Sequence, residues 1–232
     1  MTELRDIQRH LGVAPDGVLG PQTLAALATA LGLDKPRAMA DPATFFAGAR
    51  TVTGSLSPPQ VATINALLTA AAHRPLSWLA YALATAWHEA RLVPIEEIGR
   101  GRGLRYGVPG ARMKPVPGAP SYGGQIPYGR GLVQLTWCDN YERADSELEL
   151  GGALLKDFGL ALRTDIAVAI MVRGMEEGWF TGRALRDYLP GPLGAADQFA
   201  AARRIINGTD RADMIAAYAL KFQAAGQAGR WA

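Results

Sequence analysis

Apolar residues recur at helical spacing over most of this chain. Near the start, Leu4, Ile7, Gln8 and Leu11 fall along one side of a short helix that Thr2 can cap and Gly12 ends. Asp16-Gly17 and Gly20-Pro21 then mark tight turns. A second helix is predicted from Pro21 to about residue 31, with Leu24, Leu27, Ala28 and Leu31 on one stripe. Pro21 suits its first turn, where a missing N–H costs nothing. Residues 32–57 mix proline, glycine and polar residues around a small apolar piece, Phe45-Phe46. They read as a linker that packs partly against its neighbour.

From Ser57 onward the helical pattern dominates. Ser57 and Pro58 open a helix carrying Val61, Ile64, Leu67 and Leu68. The next, from about residue 76 to 90, has Leu76, Trp78, Leu79, Tyr81, Leu83 and Trp87, and is apolar on nearly every face. Such a helix belongs in the middle of a core. Residues 94–131 are too rich in glycine and proline for a regular helix, and a loop this long is usually functional. Helices resume near Asp139, around 166–174, through 198–206 and through 210–224; residues 133–136 read as one short strand. The expectation is a mainly α protein in three parts: a small helical module at 1–33, a linker at 34–56 and a larger helical domain at 57–232. Residues 1–55 are therefore expected to be removable without loss of the main fold.

Composition narrows the class only a little. The 232 residues are 49% hydrophobic and 19% charged, as in globular domains. No run is long and apolar enough to predict a spanning helix, and MTELRDIQRH does not read as a signal peptide. The chain is thus expected to be made in the cytoplasm, to need another factor for delivery to any external target, and to insert in no membrane. A single cysteine, Cys138, excludes a disulfide framework within the chain. The net charge of +3 is unevenly spread. Residues 91–130 hold Arg91, Arg100, Arg102, Arg105, Arg112, Lys114 and Arg130 against Glu96 and Glu97. That excess favours a polyanionic partner without naming one.

Two stretches resemble known families. Ile7-Gln8, Leu11-Gly12, Asp16-Gly17-Val18-Leu19-Gly20-Pro21-Gln22-Thr23 and Ala26-Leu27 resemble a peptidoglycan-binding repeat, in shortened form. The resemblance implies wall contact through Asp16, Gly17, Gly20 and Thr23. The second stretch covers about 57–225. It comprises His88-Glu89, the run from Pro94 to Gly103, Tyr128-Gly129-Arg130-Gly131-Leu132-Val133-Gln134-Leu135-Thr136-Trp137 with Asn140-Tyr141, Gly178-Trp179-Phe180-Thr181-Gly182, and Arg203-Arg204-Ile205-Ile206-Asn207-Gly208. In this order and spacing it is similar to the family-19 chitinases and their phage and bacterial endolysin relatives. The resemblance implies a lysozyme-like helical fold and an inverting glycosidase. Plant members have serine where this chain has Thr136, and disulfides that it cannot form, so the endolysin branch is the nearer likeness.

Glycoside hydrolysis needs one carboxyl to protonate the leaving oxygen and a second to activate water. Glu89, at the end of the most apolar helix, is the candidate acid, since a carboxyl held against Trp87 and its neighbours should have a raised pKa. Glu97, two before Gly99 as the family pattern requires, is the candidate base, and Glu96 is its rival. Thr136 is a candidate for holding the attacking water, with Gln134 beside it. In an extended stretch the two share a face; alternatively they cap the following helix. Tyr128, Arg130, Asn207 and Tyr106 complete the candidate substrate-binding set, although Asn207 serves equally well as a helix C-cap. Tyr106, Tyr122, Tyr128 and Trp137 offer rings for sugar faces, of which one or two at most are expected to be used.

Other chemistries fit less well. His88-Glu89 opens a zinc-peptidase motif, but Leu92 stands where the second histidine belongs, and His10 and His73 lack ligand spacing. Cys138 follows all three histidines, against the order of cysteine wall amidases, and reads as a packed thiol. A wall-binding protein without activity would have no need of Glu89 and Glu97. A chitinase would use the same pair on another polymer. The expected partner is therefore the peptidoglycan glycan strand, bound by a monomer without metal or cofactor and without nucleic acid.

Overall fold

The computed structural model describes residues 3–31, 36–111 and 122–232. It is mainly helical and divides into two compact units, residues 1–37 and 38–232. Among the described residues no helix is long and apolar enough to cross a membrane. Thr2, Arg112 and Lys114, named above, lie outside the described residues.

The first unit is a helical hairpin of α1 (Leu4–His10) and α2 (Pro21–Ala30). Glu3 caps α1 in a reciprocal box with Asp6, and Pro21 opens α2. Ile7, expected on the inner side of α1, is largely exposed. The residue that α1 buries is Gln8, and it fastens the turn between the helices. Its Nε2 lies 2.7 Å from Asp16 Oδ1, 2.9 Å from the Val18 carbonyl and 2.9 Å from Thr23 Oγ1, while its Oε1 accepts from Gly17 N–H at 2.8 Å. Asp16 also accepts from Val18 N–H at 2.8 Å, the main reason its carboxyl sits below the usual carboxylate range. Gly17 adopts φ +79°, and Gly20 caps α2. The four residues expected to touch a wall also hold this hairpin together; Asp16 and Gly17 are exposed and Thr23 is buried.

The second unit starts earlier than the sequence suggests. The supposed linker contains α3 (Pro42–Thr53), and this corrects the expected boundary. Asp41 caps it by accepting from Thr44 N–H at 3.0 Å and Thr44 Oγ1 at 2.7 Å. Phe45 and Ala49 are fully buried, so α3 is core and not tether. Its partner is α11 (Ala212–Ala228) at the far end of the chain. At Gly48 a Cβ would stand 2.7 Å from that of Ala225, and the close crossing requires glycine there. Backbone pairing of Ala38 with Ala232, and of Met39 with Trp231, closes the unit end to end.

Between these lie α4 (Pro58–Ala70), capped by Ser57 with Gln60, and α5 (Leu76–Ala90). The latter is buried on nearly every side, as its composition predicts. Polar anchors fix its rotation. Ser77 Oγ donates to the Gly191 carbonyl at 2.6 Å, Trp78 Nε1 to that of Leu189 at 2.8 Å, and Tyr81 Oη to that of Ala202 at 2.8 Å. Then follow β1 (Ile95–Glu96), β2 (Arg130–Gly131), α6 (Cys138–Glu147), α7 (Ala153–Lys156), a 3-10 turn at Phe158–Leu162, and α8 (Thr164–Glu177). The chain ends through α9 (Leu185–Tyr188), α10 (Ala196–Ala202), a 3-10 turn at Arg203–Ile205, and α11. β1 and β2 pair antiparallel, Ile95 opposite Gly131 and Glu96 opposite Arg130.

The two boundaries predict different truncations. Removing residues 1–37 should leave a cooperatively folding protein. Removing 1–55 takes Phe45 out of the core, a loss of about 3–5 kcal/mol from that side chain alone, and should abolish a single sharp transition. Thermal unfolding followed by circular dichroism distinguishes them, and two equally stable products would restore the linker reading.

Candidate active site

Glu89 ends the buried helix α5. Its side chain is 22% exposed, and its Oε1 accepts from Arg203 Nη1 at 2.5 Å. Arg203 itself is almost wholly buried and also donates through Nε to the Asp210 carbonyl at 3.0 Å. The apolar pocket expected around this carboxyl is therefore absent, and its nearest neighbour is a guanidinium. Trp87 instead lies under the Arg91 guanidinium, 4.7 Å from its ring centre. Oε2 of Glu89 has no hydrogen-bond donor among the described residues. Burial is the main cause that holds the His88 imidazole below its ordinary pKa.

The chain reverses directly after this glutamate. Arg91 and Leu92 both adopt left-handed φ, +50° and +60°, which costs energy in residues with a Cβ. Leu92 N–H bonds back to the Ala86 carbonyl, Gln60 Nε2 donates to that of Arg91 at 2.9 Å, and Leu92 is fully buried. These contacts offset the strain and send Pro94 into β1.

Glu97 follows β1 at once. Its N–H bonds the Gly129 carbonyl at 2.8 Å, its Oε2 accepts from Gly129 N–H at 3.1 Å, and its Oε1 accepts from Tyr106 Oη at 2.5 Å. Gly129 lies close to Gln134, whose side chain would have to shift to admit a Cβ there. Tyr106 packs edge-on against Trp137, with ring centres 5.4 Å apart. Burial and the Glu97 carboxylate push its phenol up to about 12. Glu96 is held differently, by Tyr128 Oη at 2.6 Å and by Arg100 at 2.8 Å. The Tyr128 hydroxyl, followed by the Arg100 contact, keeps the Glu96 carboxyl below the usual carboxylate range.

The remaining candidates divide into partly exposed and structural groups. Thr136 is half-buried, and its hydroxyl has no partner among the described residues; its carbonyl accepts from Asn140 Nδ2 at 2.7 Å. The shared extended face of Gln134 and Thr136 is not found. Gln134 is left-handed at φ +55°, in a turn closed by the bridge between Arg130 and Leu135, and its amide donates to the Ile95 carbonyl. Nor do they cap α6, which begins without a side-chain cap. Arg130, expected on substrate, is buried. It stacks 3.5 Å from the centre of the Tyr128 ring and donates to the Ile126 and Tyr128 carbonyls and to Tyr141 Oη. Tyr128 is likewise buried, and Tyr122 is buried with its hydroxyl on Glu142. Tyr106 and Trp137 are half-exposed. Asn207 is exposed on the loop after Arg203, and Gly208 rather than Asn207 takes the left-handed position there. Cys138 is a free, buried thiol pushed up to about 11 by desolvation.

Sequence reasoning missed three partners, Arg203 for Glu89, Tyr106 for Glu97 and Tyr128 for Glu96; a balancing charge from Arg100, Arg102 and Arg105 on the two loop glutamates was open to it, and Arg100 supplies it to Glu96. A faint signal existed for the first. Arg203 stands four residues after the core residue Phe199, on the stripe that a helix buries. Beside Glu97 the surface forms an open hollow of about 530 Å3 lined by Gly99, Arg100, Arg102, Gly107 and Ile126. No group of acidic, histidine or cysteine side chains suited to a metal ion occurs among the described residues. No protein-family model, curated protein or solved structure matches the chain.

Two outcomes follow. Arg203→Met leaves Glu89 without its counter-charge and should destabilise the fold by about 3 kcal/mol, the lower end for a broken buried pair because Glu89 is partly exposed. Adding Glu89→Gln should recover part of that loss in urea unfolding, and full additivity of the two changes would show that the pair is uncoupled. Separately, Tyr128→Phe should raise the Glu96 pKa toward that of an ordinary glutamate, read by carbon-detected NMR titration. Because Glu96 is depressed in the folded state, what it contributes is present above the unfolded pKa and lost as pH falls through the folded one.

Proposed function

We propose that this chain is a glycoside hydrolase that cuts the β-1,4 glycan backbone of peptidoglycan, with a lysozyme-like arrangement of its larger unit. The observation that carries the reading is a pair of partly exposed glutamates in contrasting settings. Glu89 sits on a rigid buried helix with one oxygen fixed by Arg203 and the other open. Glu97 sits on a loop with only neutral donors, Tyr106 and the Gly129 N–H. Two partly open carboxyls, each held by a fixed donor, are what general acid and general base require.

In this reading Glu89 protonates the leaving glycosidic oxygen through Oε2, and Glu97 takes the proton of a water. The Thr136 hydroxyl is free to orient that water. Glu96 is the poorer base, since its oxygens are engaged by Tyr128 and by the cation Arg100. Tyr106 and Trp137 are the rings left for sugar, and Asn207 offers its exposed amide to an N-acetyl group. Gln134, Tyr128 and Arg130 act indirectly, as supports of the loop that bears Glu97. Wall contact by the first unit falls to the exposed Val18, Leu19 and Leu24 and to the exposed Asp16 and Gly17, while Thr23 is buried.

Direct displacement by water inverts the anomeric carbon. The test is proton NMR of the first product formed from a soluble peptidoglycan oligosaccharide, with Glu89→Gln as control. Inversion is expected, and Glu89→Gln should lower the rate about 10²–10⁴-fold while keeping the parent's circular dichroism. A retained anomer rules out the pairing of Glu89 with Glu97, and near-parental turnover by Glu89→Gln rules out its role as acid.

A further inference from the structure

The loop that carries Glu97 also builds a cationic surface that hydrolysis of a neutral glycan does not need. From Glu97 to Gly107 the backbone winds through successive turns: Arg100 N–H to Glu97, Arg102 to Gly99, Leu104 to Gly101 and Gly107 to Leu104. Gly99, Gly101 and Gly103 all take left-handed φ. Gly101 and Gly107 pack backbone to backbone, so closely that a Cβ on Gly107 would stand 1.6 Å from the Gly101 oxygen. The segment is therefore locked by its own hydrogen bonds and by a contact that admits no side chain.

Its two arginines on the hollow differ. Arg100 is neutralised by Glu96 at 2.8 Å. The Arg102 side chain is exposed and has no acidic or hydrogen-bonding partner among the described residues. Both line the open hollow of about 530 Å3, with Gly99, Gly107 and Ile126 supplying walls that carry no competing carboxylate. An exposed guanidinium carried on a locked backbone at the edge of a concave surface, five residues from the proposed base, is suited to a carboxylate on the substrate itself.

We propose that Arg102 is a specificity-determining residue, which receives a carboxylate carried on the lactyl-peptide arm of the muramic sugar and so favours peptidoglycan over neutral chitin-type chains. The proposal rests on the glycosidase reading above. The carboxylate has two sources, the lactyl group itself and the peptide attached to it. An arginine that binds either gains a charge-assisted hydrogen bond absent from a glucosamine polymer of the same length.

The experiment compares parent, Arg102→Gln and Arg102→Lys on three soluble tetrasaccharides: one alternating glucosamine and muramic acid with free lactyl carboxylates, the same chain bearing stem peptides, and chitotetraose. The ratio of kcat/KM on an anionic chain to that on chitotetraose should fall about tenfold in Arg102→Gln, chiefly through KM, and Arg102→Lys should restore part of it. Loss only on the peptide-bearing chain assigns the peptide carboxylate, loss only on the chain with free lactyl groups assigns the lactyl one, and loss on both shows that Arg102 receives either. Equal loss on all three substrates, or no change on either anionic chain, overturns the proposal. If the parent cuts none of the three, the glycosidase reading fails, and calorimetric titration of the same tetrasaccharides still decides. Weaker binding of the anionic chains by Arg102→Gln supports the carboxylate contact, and unchanged binding overturns it.

Discussion

A guanidinium cannot give up its proton, so a buried arginine must be met by acceptors wherever the fold places it. Arg203 is such a residue, and the larger unit converges on satisfying it. Glu89 supplies a carboxylate from the end of α5, and the Asp210 carbonyl closes on Nε from the turn before α11. One residue earlier, Tyr81 reaches from α5 to the Ala202 carbonyl, and burial drives its phenol far above the ordinary range. Just beyond, Thr181 Oγ1 donates to the Arg204 carbonyl at 2.7 Å, which draws the 178–182 segment to the same place. Four pieces of chain thus meet at residues 202–204, two of them through acceptors on the Arg203 guanidinium itself. The same tie fixes one carboxyl of the proposed catalytic pair, and its removal is costly for the fold as well as for the site.

Much of this fold was legible where burial leaves a local record. The helix at 76–90 is apolar all round, so its central position could be read without knowing its neighbours, and the Ser57-Pro58 start of α4 is written in the cap itself. By contrast, α3 left little trace. Its sequence, PATFFAGARTVT, has only two large apolar residues, and a glycine stands in its middle. That glycine is an asset solely because Ala225, nearly 180 residues later, approaches it. A window of a dozen residues holds no information about such a partner, and a real core helix reads as a linker. The 133–136 stretch failed for a different reason. Alternation assumes extended backbone, and Gln134 and Trp137 are both left-handed.

The site was legible in its carboxylates and not in their surroundings. Glu89 and Glu97 stood out through a resemblance and through position, whereas Arg203 lies 114 residues from the oxygen it holds and Tyr128 lies 32 from Glu96. Residue type alone also misassigned Arg130. An arginine in a glycine-rich loop suggests an outward contact, yet this one is drawn in by three oxygen acceptors and the face of Tyr128. The same holds for Thr23, which is buried against Gln8, whereas Asp16 meets Gln8 and is still exposed. Polar residues in a motif are as often the joinery of a turn as its contact surface, and only the hydrogen-bond partners tell the two apart.

The strained step after α5 decides where the chain runs after Glu89. Had the helix continued, Glu97 would stand eight residues past Glu89, about 12 Å further along the axis at 1.5 Å per residue. That exceeds the roughly 6.5–9.5 Å over which two carboxyls share one glycosidic bond and one water. The left-handed pair Arg91 and Leu92 ends the helix within two residues of Glu89, and burial of Leu92 keeps the reversal closed. Pairing of β1 with β2 then fixes the returning strand, and the Gly129 peptide grips Glu97 from both its N–H and its carbonyl. On the glycosidase reading proposed above, backbone strain at 91–92 has a chemical use. It ends the helix before Glu97 and leaves the placing of that residue to a strand pair.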